Sequence, residues 1–291
     1  MKWLITGGSG QLGLALQNEL SYQRIDFVAS NSSELDISKP LIVNELIDSI
    51  KPSVIVNTAA WTDVDGAETN QSTAYSINAL GPQNLAIAAS KIGARLVQVS
   101  TDYVFSGENS TPWSENAVHN PQSVYGSTKS EGENFVQSVL PTDSYVVRTA
   151  WLYSAEGKNF AKTMTNLALN STGEIKVVND QLGQPTFAGD LAKLIVDLVL
   201  SKAPVGIYHG TNSGQATWFE FAQKIFEFAG ADVLRVIPIS SSENLRPAMR
   251  PSYSVLGHDA WANTTLPAMR NWRIALAEAM PSIISKVRTA E

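Results

Sequence analysis

A tyrosine and a lysine in this sequence have the spacing that acid–base chemistry requires. Tyr125 and Lys129 stand in VYGSTK, residues 124–129, and residues four apart share one face of a helix. The pKa of a free tyrosine is about 10, and a nearby lysine cation lowers it because the cation favours the phenolate. Such a tyrosine can give a proton to a carbonyl oxygen while hydride reaches the carbon. The pair also occurs by chance, so the surrounding elements decide its meaning.

A glycine-rich turn near the start of the chain is typical of a dinucleotide-binding site. TGGSGQLG, residues 6–13, follows a predicted strand at residues 2–6 and opens a predicted helix. Gly7, Gly10 and Gly13 are spaced three apart, so the backbone can turn sharply and bring free N–H groups close to a diphosphate. Gly13 would let the helix pack closely on the sheet. We predict a dinucleotide site here rather than an ordinary strand-to-helix turn.

The tip of the second predicted strand bears on the choice between NADH and NADPH. Residues 30–33 read SNSS. In folds of this kind an acid at the tip binds the ribose 2′-hydroxyl, and an arginine accepts a 2′-phosphate. The tip offers no acid and no arginine, so both cofactors stay open. Asp36, a little further along the chain, is expected near the adenine.

A second polar cluster follows a buried strand in the middle of the chain. The strand predicted at residues 95–100 ends in STDYVFSG, residues 100–107, and ligands of open α/β sheets bind beyond the carboxyl ends of the strands. Thr101 could hydrogen-bond the carbonyl oxygen that Tyr125 protonates, and Lys129 could also bind the nicotinamide ribose. The alternative is that Ser100 and Thr101 only cap a turn.

Strands and helices alternate over the first two-thirds of the chain. Apolar runs and helical spacings predict elements at residues 2–6, 12–20, 25–29, 40–50, 53–57, 73–92, 95–100, 124–140 and 144–148. Short connections predict parallel β-α-β units, and continuous apolar strands predict a sheet covered on both faces. The predicted fold class is α/β, a doubly wound, Rossmann-like parallel sheet with a smaller C-terminal substrate lobe. We assign residues 1–155 to the dinucleotide-binding domain, to which later segments return, and residues 156–291 mainly to the substrate-binding lobe.

Composition excludes several other classes of protein. The 291 residues carry a net charge of −6 without a basic run, so no nucleic-acid partner is expected. The absence of cysteine excludes disulfides, thiolate metal sites and cysteine nucleophiles. The three histidines are too scattered to suggest a metal site. Neither a signal sequence nor an apolar stretch of about 18 residues is found, so we expect a cytoplasmic protein without membrane or metal partners.

Together these motifs resemble the extended branch of the short-chain dehydrogenase/reductase superfamily, and within it the dTDP-4-dehydrorhamnose reductase family. The resemblance reaches from residue 1 to about residue 280. It rests on the order and spacing of TGGSGQLG, LDIS, VNTAAWTDVDGAE, VSTDYVFSG, YGSTK, RTAWLYS, GKNF, DQLGQPT, GIYHGTNSG and RPAMRPSYSVL. STDYVF, DQLGQPT and the C-terminal RP segment are the more specific motifs, whereas YGSTK is shared widely.

The resemblance implies NADPH- or NADH-dependent reduction of the C4 keto group of a dTDP-linked 4-keto-6-deoxy sugar, dTDP-4-dehydro-L-rhamnose. The implied catalytic residues are Thr101, Tyr125 and Lys129. Residues expected along the cofactor are Gly7, Gly10, Gln11, Leu12, Gly13, Asn31, Asp36, Ile37, Ala59, Ala60, Trp61, Val99, Tyr125 and Lys129. Residues expected around the substrate are Thr101, Asp102, Tyr103, Trp151 and Asn159.

Some of these assignments have plain structural alternatives. Trp151 could belong to the core, Asp102 could be a turn acid, and Asn159 could be a helix N-cap. Two positions depart from the family pattern. Trp61 stands where the family usually has His or Tyr, and Ala15 stands where some members carry an acid that binds a metal between two subunits. The oligomeric state, monomer or homodimer, therefore stays open.

Two rival functions share the glycine turn and the Tyr/Lys pair. One is a nucleotide-sugar epimerase or 4,6-dehydratase, which recycles its cofactor instead of consuming it. Dehydratases typically follow the strand-end threonine with two acids, whereas Asp102 is followed here by Tyr103. The other rival is a non-catalytic regulatory subunit that binds a dinucleotide and a partner enzyme. The presence of Thr101, Tyr125 and Lys129 disfavours that role.

Overall fold

Residues 1–289, which the computed structural model describes, form twelve strands and ten α-helices. The strands are β1 (Lys2–Thr6), β2 (Asp26–Ser30), β3 (Val54–Asn57), β4 (Arg95–Thr101), β5 (Ser144–Thr149), β6 (Leu152–Tyr153), β7 (Ile175–Val178), β8 (Leu182–Gly183), β9 (Thr186–Phe187), β10 (Gly206–His209), β11 (Ala216–Thr217) and β12 (Val236–Ile239). The helices are α1 (Gln11–Tyr22), α2 (Pro40–Ile50), α3 (Val64–Thr69), α4 (Gln71–Tyr75), α5 (Gly81–Ile92), α6 (Val124–Val139), α7 (Phe160–Asn170), α8 (Ala188–Leu200), α9 (Trp218–Phe228) and α10 (Trp272–Arg288).

Six strands form one parallel sheet in the order β10-β5-β4-β3-β1-β2. The strand order reverses between β1 and β3, which is where open α/β sheets bind ligands. In register, Thr6 lies beside Asn57 and Thr101 lies beside Thr149, so polar residues collect at the carboxyl ends of the strands. The predicted doubly wound parallel sheet is confirmed.

Apolar helices cover both faces of this sheet. On one face α1 packs against α8, and the periodic leucines of α1 lie in the same buried cluster as the apolar side of α8. On the other face α2 and α5 bury Val43, Ile47 and Leu85 against Leu4 and Ile55 of the sheet. Full burial of one such side chain contributes about 1.5–3 kcal/mol, so these clusters fix the sheet that positions the site.

A second apolar cluster lies beyond residue 150. Helices α7, α9 and α10 meet around Phe221, Phe226 and Trp272. Three two-stranded sheets accompany them, with β7 paired to β12, β8 to β11 and β6 to β9. Thr217 and Glu220 form a capping box that starts α9. This smaller lobe stands beside the carboxyl edge of the main sheet.

One predicted helix is interrupted. The helix expected at residues 73–92 begins earlier, in α4, and contains a π-helical turn at Ser76–Leu80 before α5. Pro82 has no N–H group to donate to the carbonyl of Asn78, so the regular hydrogen-bond ladder cannot continue there. Such π turns are frequent at functional sites, and Asn78 proves to be one of the residues that hold the candidate site.

Segments after residue 155 return to the main sheet, since β10 pairs with β5 and α8 packs on α1. The division into two domains at that residue stays a prediction, and residues 290 and 291 of the predicted second lobe lie outside the described residues. Among residues 1–289 no helix has both the length and the apolar character to cross a membrane.

Candidate active site

The glycine turn between β1 and α1 leaves no room for side chains. Gly7 has a φ of +66°, and a Cβ built on it would lie 2.7 Å from the backbone nitrogen of Ala59. A Cβ on Gly13 would lie 2.3 Å from the carbonyl oxygen of Gly7. Gly10 caps α1, and no side chain among residues 1–289 caps its first N–H groups. Bare N–H groups at a helix start bind anionic diphosphates, so the turn fits a dinucleotide.

Gln11 and Asn159 connect this turn to the smaller lobe. The Nδ2 group of Asn159 donates to Oε1 of Gln11 at 2.9 Å, and the Ser154 hydroxyl donates to the same oxygen at 3.2 Å. Asn159 is also the N-cap of α7, where its Oδ1 accepts from the Lys162 N–H at 3.0 Å. The alternative expectation, that Asn159 is a helix N-cap, is therefore confirmed. Leu12 is buried in the core under α1.

An acid lies at the tip of β2, contrary to expectation. The Asn31 side chain accepts from the Ser33 N–H, and Glu34 folds back so that its Oε2 accepts from the Asn31 N–H at 2.9 Å. The reading of the tip as free of acid was wrong, because Glu34 follows the tip in sequence but returns to it through this turn. Further on, Asp36 accepts from the Ser38 N–H and hydroxyl.

The loop after β3 forms the next wall of the site. Its first residue, Ala59, lies against Gly7, and Ala60 and Trp61 are half-buried beyond it. Asn78, from the π turn, accepts from the Trp61 N–H at 2.9 Å and donates to the Trp61 carbonyl at 3.1 Å. Ile37 is buried where a Cβ on Gly81 would meet its side chain. The one sequence signal that could have pointed to Asn78 is Pro82, four residues later, which interrupts the helix.

Thr101, Tyr125 and Lys129 come together at the carboxyl end of β4. Ser123 caps α6 through the Gly126 N–H, so Tyr125 and Lys129 lie in the first two turns of that helix. Burial raises the pKa of Tyr125 to about 12, so the expectation that the Lys129 cation lowers this pKa was wrong: the desolvation of the phenol is the largest effect. Tyrosine in this environment is protonated at neutral pH, which is the form that a proton donor needs.

Lys129 is 4% exposed, and its ammonium donates to the Val99 carbonyl at 2.6 Å. Burial lowers the pKa of Lys129 to about 8, and the negative charge of Glu133 opposes this shift. Glu133 is itself fully buried and pairs with Arg148 of β5 at 2.7 Å. A buried ion pair thus anchors the helix one turn beyond the lysine.

Asp102 and Tyr103 follow Thr101 in a short 3₁₀ turn. The Thr101 hydroxyl donates to Oδ1 of Asp102 at 2.9 Å, whereas Oδ2 is buried without a hydrogen-bond partner among residues 1–289. Burial raises the pKa of Asp102 to about 6. The Tyr103 ring meets the Tyr125 ring edge-on, with centroids 5.5 Å apart, and burial also raises the pKa of Tyr103.

A cleft of about 690 Å³ opens beside Tyr103, between the sheet and the smaller lobe. Its charged lining residues are Lys176, Arg246 and Arg250, and no acid lines it. Trp218 lines the cleft and stacks on Trp151 with ring centroids 3.5 Å apart. Trp151 therefore stands behind Trp218 rather than on the wall. Sequence reasoning did not single out Trp218, whose only signal was the aromatic run in α9.

No group of three or more potential metal ligands occurs in the part of the chain that the structure describes.

The structure brings together the glycine turn, the loop after β3, the Thr101–Tyr125–Lys129 set and the cationic cleft. Asn31, Asp36 and Ile37 lie at the far side of the turn, around the end of β2 and the start of α2.

Comparison with known proteins gives a consistent result. A family model described as the RmlD substrate binding domain matches residues 1–284. A curated relative from Streptomyces antibioticus, named a probable dTDP-4,6-dihydroxy-2-methyloxan-3-one 4-ketoreductase, is 44% identical over 98% of this chain and 96% of its own. The solved dTDP-4-dehydrorhamnose reductase of Clostridium acetobutylicum is 46% identical, with a TM-score of 0.93 over 97% of this chain and 99% of its own.

A second solved dTDP-4-dehydrorhamnose reductase, from Bacillus anthracis in complex with NADP, is 39% identical, with a TM-score of 0.92 over 96% of this chain and 98% of its own. These similarities span the glycine turn, the catalytic candidates and the smaller lobe together. The chain belongs to the RmlD substrate binding domain family.

Proposed function

We propose that this protein is an NAD(P)H-dependent oxidoreductase that reduces the C4 keto group of dTDP-4-dehydro-L-rhamnose to give dTDP-L-rhamnose. The observation that carries this proposal is the meeting of Thr101, Tyr125 and Lys129 beside a side-chain-free glycine cradle. It is supported by family membership and by the names of the relatives. This activity would serve the synthesis of sugar nucleotides for cell-surface polysaccharides.

Each of the three residues has a distinct task in this mechanism. The glycine turn of Gly7, Gly10 and Gly13 would hold NAD(P)H, which would supply the hydride for C4 of the sugar. Tyr125, kept protonated by burial, gives its hydroxyl proton to the carbonyl oxygen. The Thr101 hydroxyl, which donates to Asp102 in the free protein, would turn to donate to the same oxygen and orient it, and the Lys129 cation would stabilise the tyrosinate that proton transfer leaves behind.

The cofactor site fits a dinucleotide on the evidence of the cradle. A Cβ on Gly7 or Gly13 would clash with the backbone of Ala59 or Gly7, so only glycine permits a turn this tight, and the start of α1 presents its N–H groups to a diphosphate. The Bacillus anthracis relative was crystallised with NADP, and NADPH and NADH are the cofactors of this proposal. Asn31, Asp36 and Ile37 would surround the adenosine, and Ala59, Ala60, Trp61 and Val99 would line the rest of the dinucleotide.

The cleft supports an anionic nucleotide sugar as the substrate. Three cationic side chains and no acid line it, which favours a diphosphate. Phe160 and Trp218 offer aromatic surface on the same wall. Asp102 and Tyr103 lie where the sugar would meet Tyr125, and Trp151 would act through Trp218.

A second candidate has the same chemistry with another sugar. The Streptomyces antibioticus relative, at 44% identity, is named for 4-ketoreduction of a different dTDP-linked sugar. Both candidates are 4-ketoreductases of dTDP-linked 4-keto-6-deoxy sugars, so the substrate has to be tested as a panel.

The experiment follows NADPH and NADH oxidation at 340 nm with dTDP-4-dehydrorhamnose generated in situ. The product is identified by mass and NMR. Stoichiometric oxidation with dTDP-L-rhamnose as the product is expected. Oxidation only with another dTDP-linked 4-keto sugar would select the second candidate, and turnover without net oxidation would indicate an epimerase or dehydratase. Cofactor binding without turnover would favour a regulatory subunit. Cytoplasmic location and a monomeric or homodimeric state stay predictions from the sequence.

A further inference from the structure

One wall of the cleft is a segment without helix or strand. Residues 244–250, NLRPAMR, are named the strap here. Most of the strap is exposed, with Leu245 at 86% and Met249 at 63%, and only Ala248 is buried. Apolar packing therefore contributes little to holding the strap across the cleft, and another interaction has to fix its position.

That interaction comes from Asp65 of α3, on the main-sheet side of the cleft. Its Oδ1 accepts from the Ala248 N–H at 3.2 Å and lies 3.0 Å from an Arg250 guanidinium nitrogen. Its Oδ2 lies 3.9 Å from Arg246. Arg250 also donates to the Ala248 carbonyl at 3.1 Å. One carboxylate thus holds both a backbone group and the two cations of the strap.

Helix α3 is in turn fixed to the catalytic helix. Glu68, three residues after Asp65, accepts from the Val124 N–H at the start of α6, at 2.9 Å. Tyr125 is the next residue of α6. Tyr103, which lines the cleft, lies within electrostatic range of Arg250 and Asp65 and packs on Tyr125. The strap and the catalytic tyrosine are therefore held by the same short helix.

We propose that Asp65 is a positioning residue for substrate binding, which holds the strap closed and sets Arg250 at the mouth of the cleft. This inference rests on the proposed function, because it assigns Arg250 to the diphosphate of a nucleotide sugar. In the free enzyme Asp65 offsets the repulsion between Arg246 and Arg250, so the strap is ordered before substrate arrives. Preorganisation of this kind raises affinity because less ordering is needed on binding.

The test compares Asp65→Asn with a matched variant on the same helix, Asp63→Asn. Asp63 caps α3 through the Gly66 N–H, and asparagine keeps that cap. Each of the two variants loses one acidic charge from the same helix. For Asp65→Asn we expect KM for the nucleotide sugar to rise about five- to tenfold, as for loss of a charge-assisted hydrogen bond. Turnover and KM for NAD(P)H should stay close to wild type, and Asp63→Asn should match wild type throughout.

A second readout needs no turnover. Chymotrypsin cleaves after exposed leucine, and the rate of cleavage after Leu245 reports how often the strap opens. Asp65→Asn should be cut faster than wild type and Asp63→Asn, and added dTDP should slow the cut in all three proteins. If Asp65→Asn does not fold, Asp65→Glu, which keeps the charge on a longer side chain, should show a smaller change in the same directions.

Two results would overturn the proposal: a fall in kcat at unchanged KM for the sugar, or unchanged cleavage after Leu245. Wild type that turns over no dTDP-linked sugar would instead count against the proposed function. The cleavage comparison would still decide whether Asp65 holds the strap.

Discussion

The Lys129 ammonium and the Val99 carbonyl oxygen are 2.6 Å apart, in a partly buried hydrogen bond between α6 and β4. This contact ties the lysine to the strand whose end carries Thr101. Lys129 is thereby held in place before any ligand binds. Its burial disfavours the charged form and lowers the pKa of Lys129 to about 8. The position of this cation is set by the fold, whereas its charge is sensitive to pH.

The pH dependence of activity should report this lysine. Below pH 8 Lys129 is cationic and can stabilise the tyrosinate formed by proton transfer. As pH rises through about 8 the cation is lost, so we expect kcat/KM for the sugar to fall there. The measurement is a pH profile of kcat/KM from pH 6 to 10 with saturating cofactor. A flat profile across that range would show that the charge of Lys129 is not needed.

Replacement of Tyr125 by phenylalanine removes the proposed proton donor and leaves the ring. The edge-on contact with Tyr103 at 5.5 Å should survive, so the fold and cofactor binding should too. Turnover should fall by about 10²- to 10⁴-fold, the usual contribution of a general acid. Steady-state assays and dinucleotide titration measure the two effects separately. Tyr22→Phe, which makes the same change at an exposed tyrosine, is the control, and near-normal turnover in Tyr125→Phe would refute the assignment.

Local signals in the sequence predicted the sheet, and they singled out Thr101, Tyr125 and Lys129 as catalytic candidates. Apolar runs and glycine spacing act within a few residues, so β1, the glycine turn and the helix of Tyr125 and Lys129 were accessible. Long-range contacts were not. Ala248 binds Asp65 across 183 residues, and Trp218 of α9 covers Trp151, which lies in the bend between β5 and β6. The position of the Glu34 carboxylate was not predictable from local signals, because only the turn at Asn31 brings it back to the tip of β2.

Asp102 should make the protein less stable when it is ionised. Burial raises its pKa from 3.8 unfolded to about 6 folded, so between these values the folded chain binds more protons. Wild-type stability should therefore decrease, relative to Asp102→Asn, as pH rises from about 4 to 6. Between pH 4 and pH 7 the stability of wild type relative to the variant should fall by up to about 3 kcal/mol, since the pKa rises from 3.8 to about 6 and each pKa unit corresponds to about 1.4 kcal/mol. Urea unfolding of both proteins at pH 4, 5, 6 and 7 tests this, and a difference independent of pH would contradict it.

Glu34 should weaken NADPH binding relative to NADH. Its carboxylate accepts from the Asn31 N–H at the tip of β2. A 2′-phosphate bound at this tip would be repelled by the negative charge of Glu34. Glu34→Gln keeps an oxygen acceptor and removes the charge. We expect KM for NADPH to fall about two- to fivefold, as for an exposed charge pair, while KM for NADH hardly changes. The effect should shrink in high salt, and equal changes for both cofactors would exclude this role.

Gly13→Ala should abolish dinucleotide binding, because the added Cβ would lie 2.3 Å from the Gly7 carbonyl oxygen. The two backbones cannot separate without moving the start of α1, whose N–H groups are proposed to bind the diphosphate. Gly173→Ala is the matched control, since a Cβ there meets nothing within 4 Å. Cofactor titration and thermal melting of both variants give the comparison. Wild-type NADPH affinity in Gly13→Ala would mean that the dinucleotide does not use this turn, and the catalytic roles of Tyr125 and Lys129 would then lose their main support.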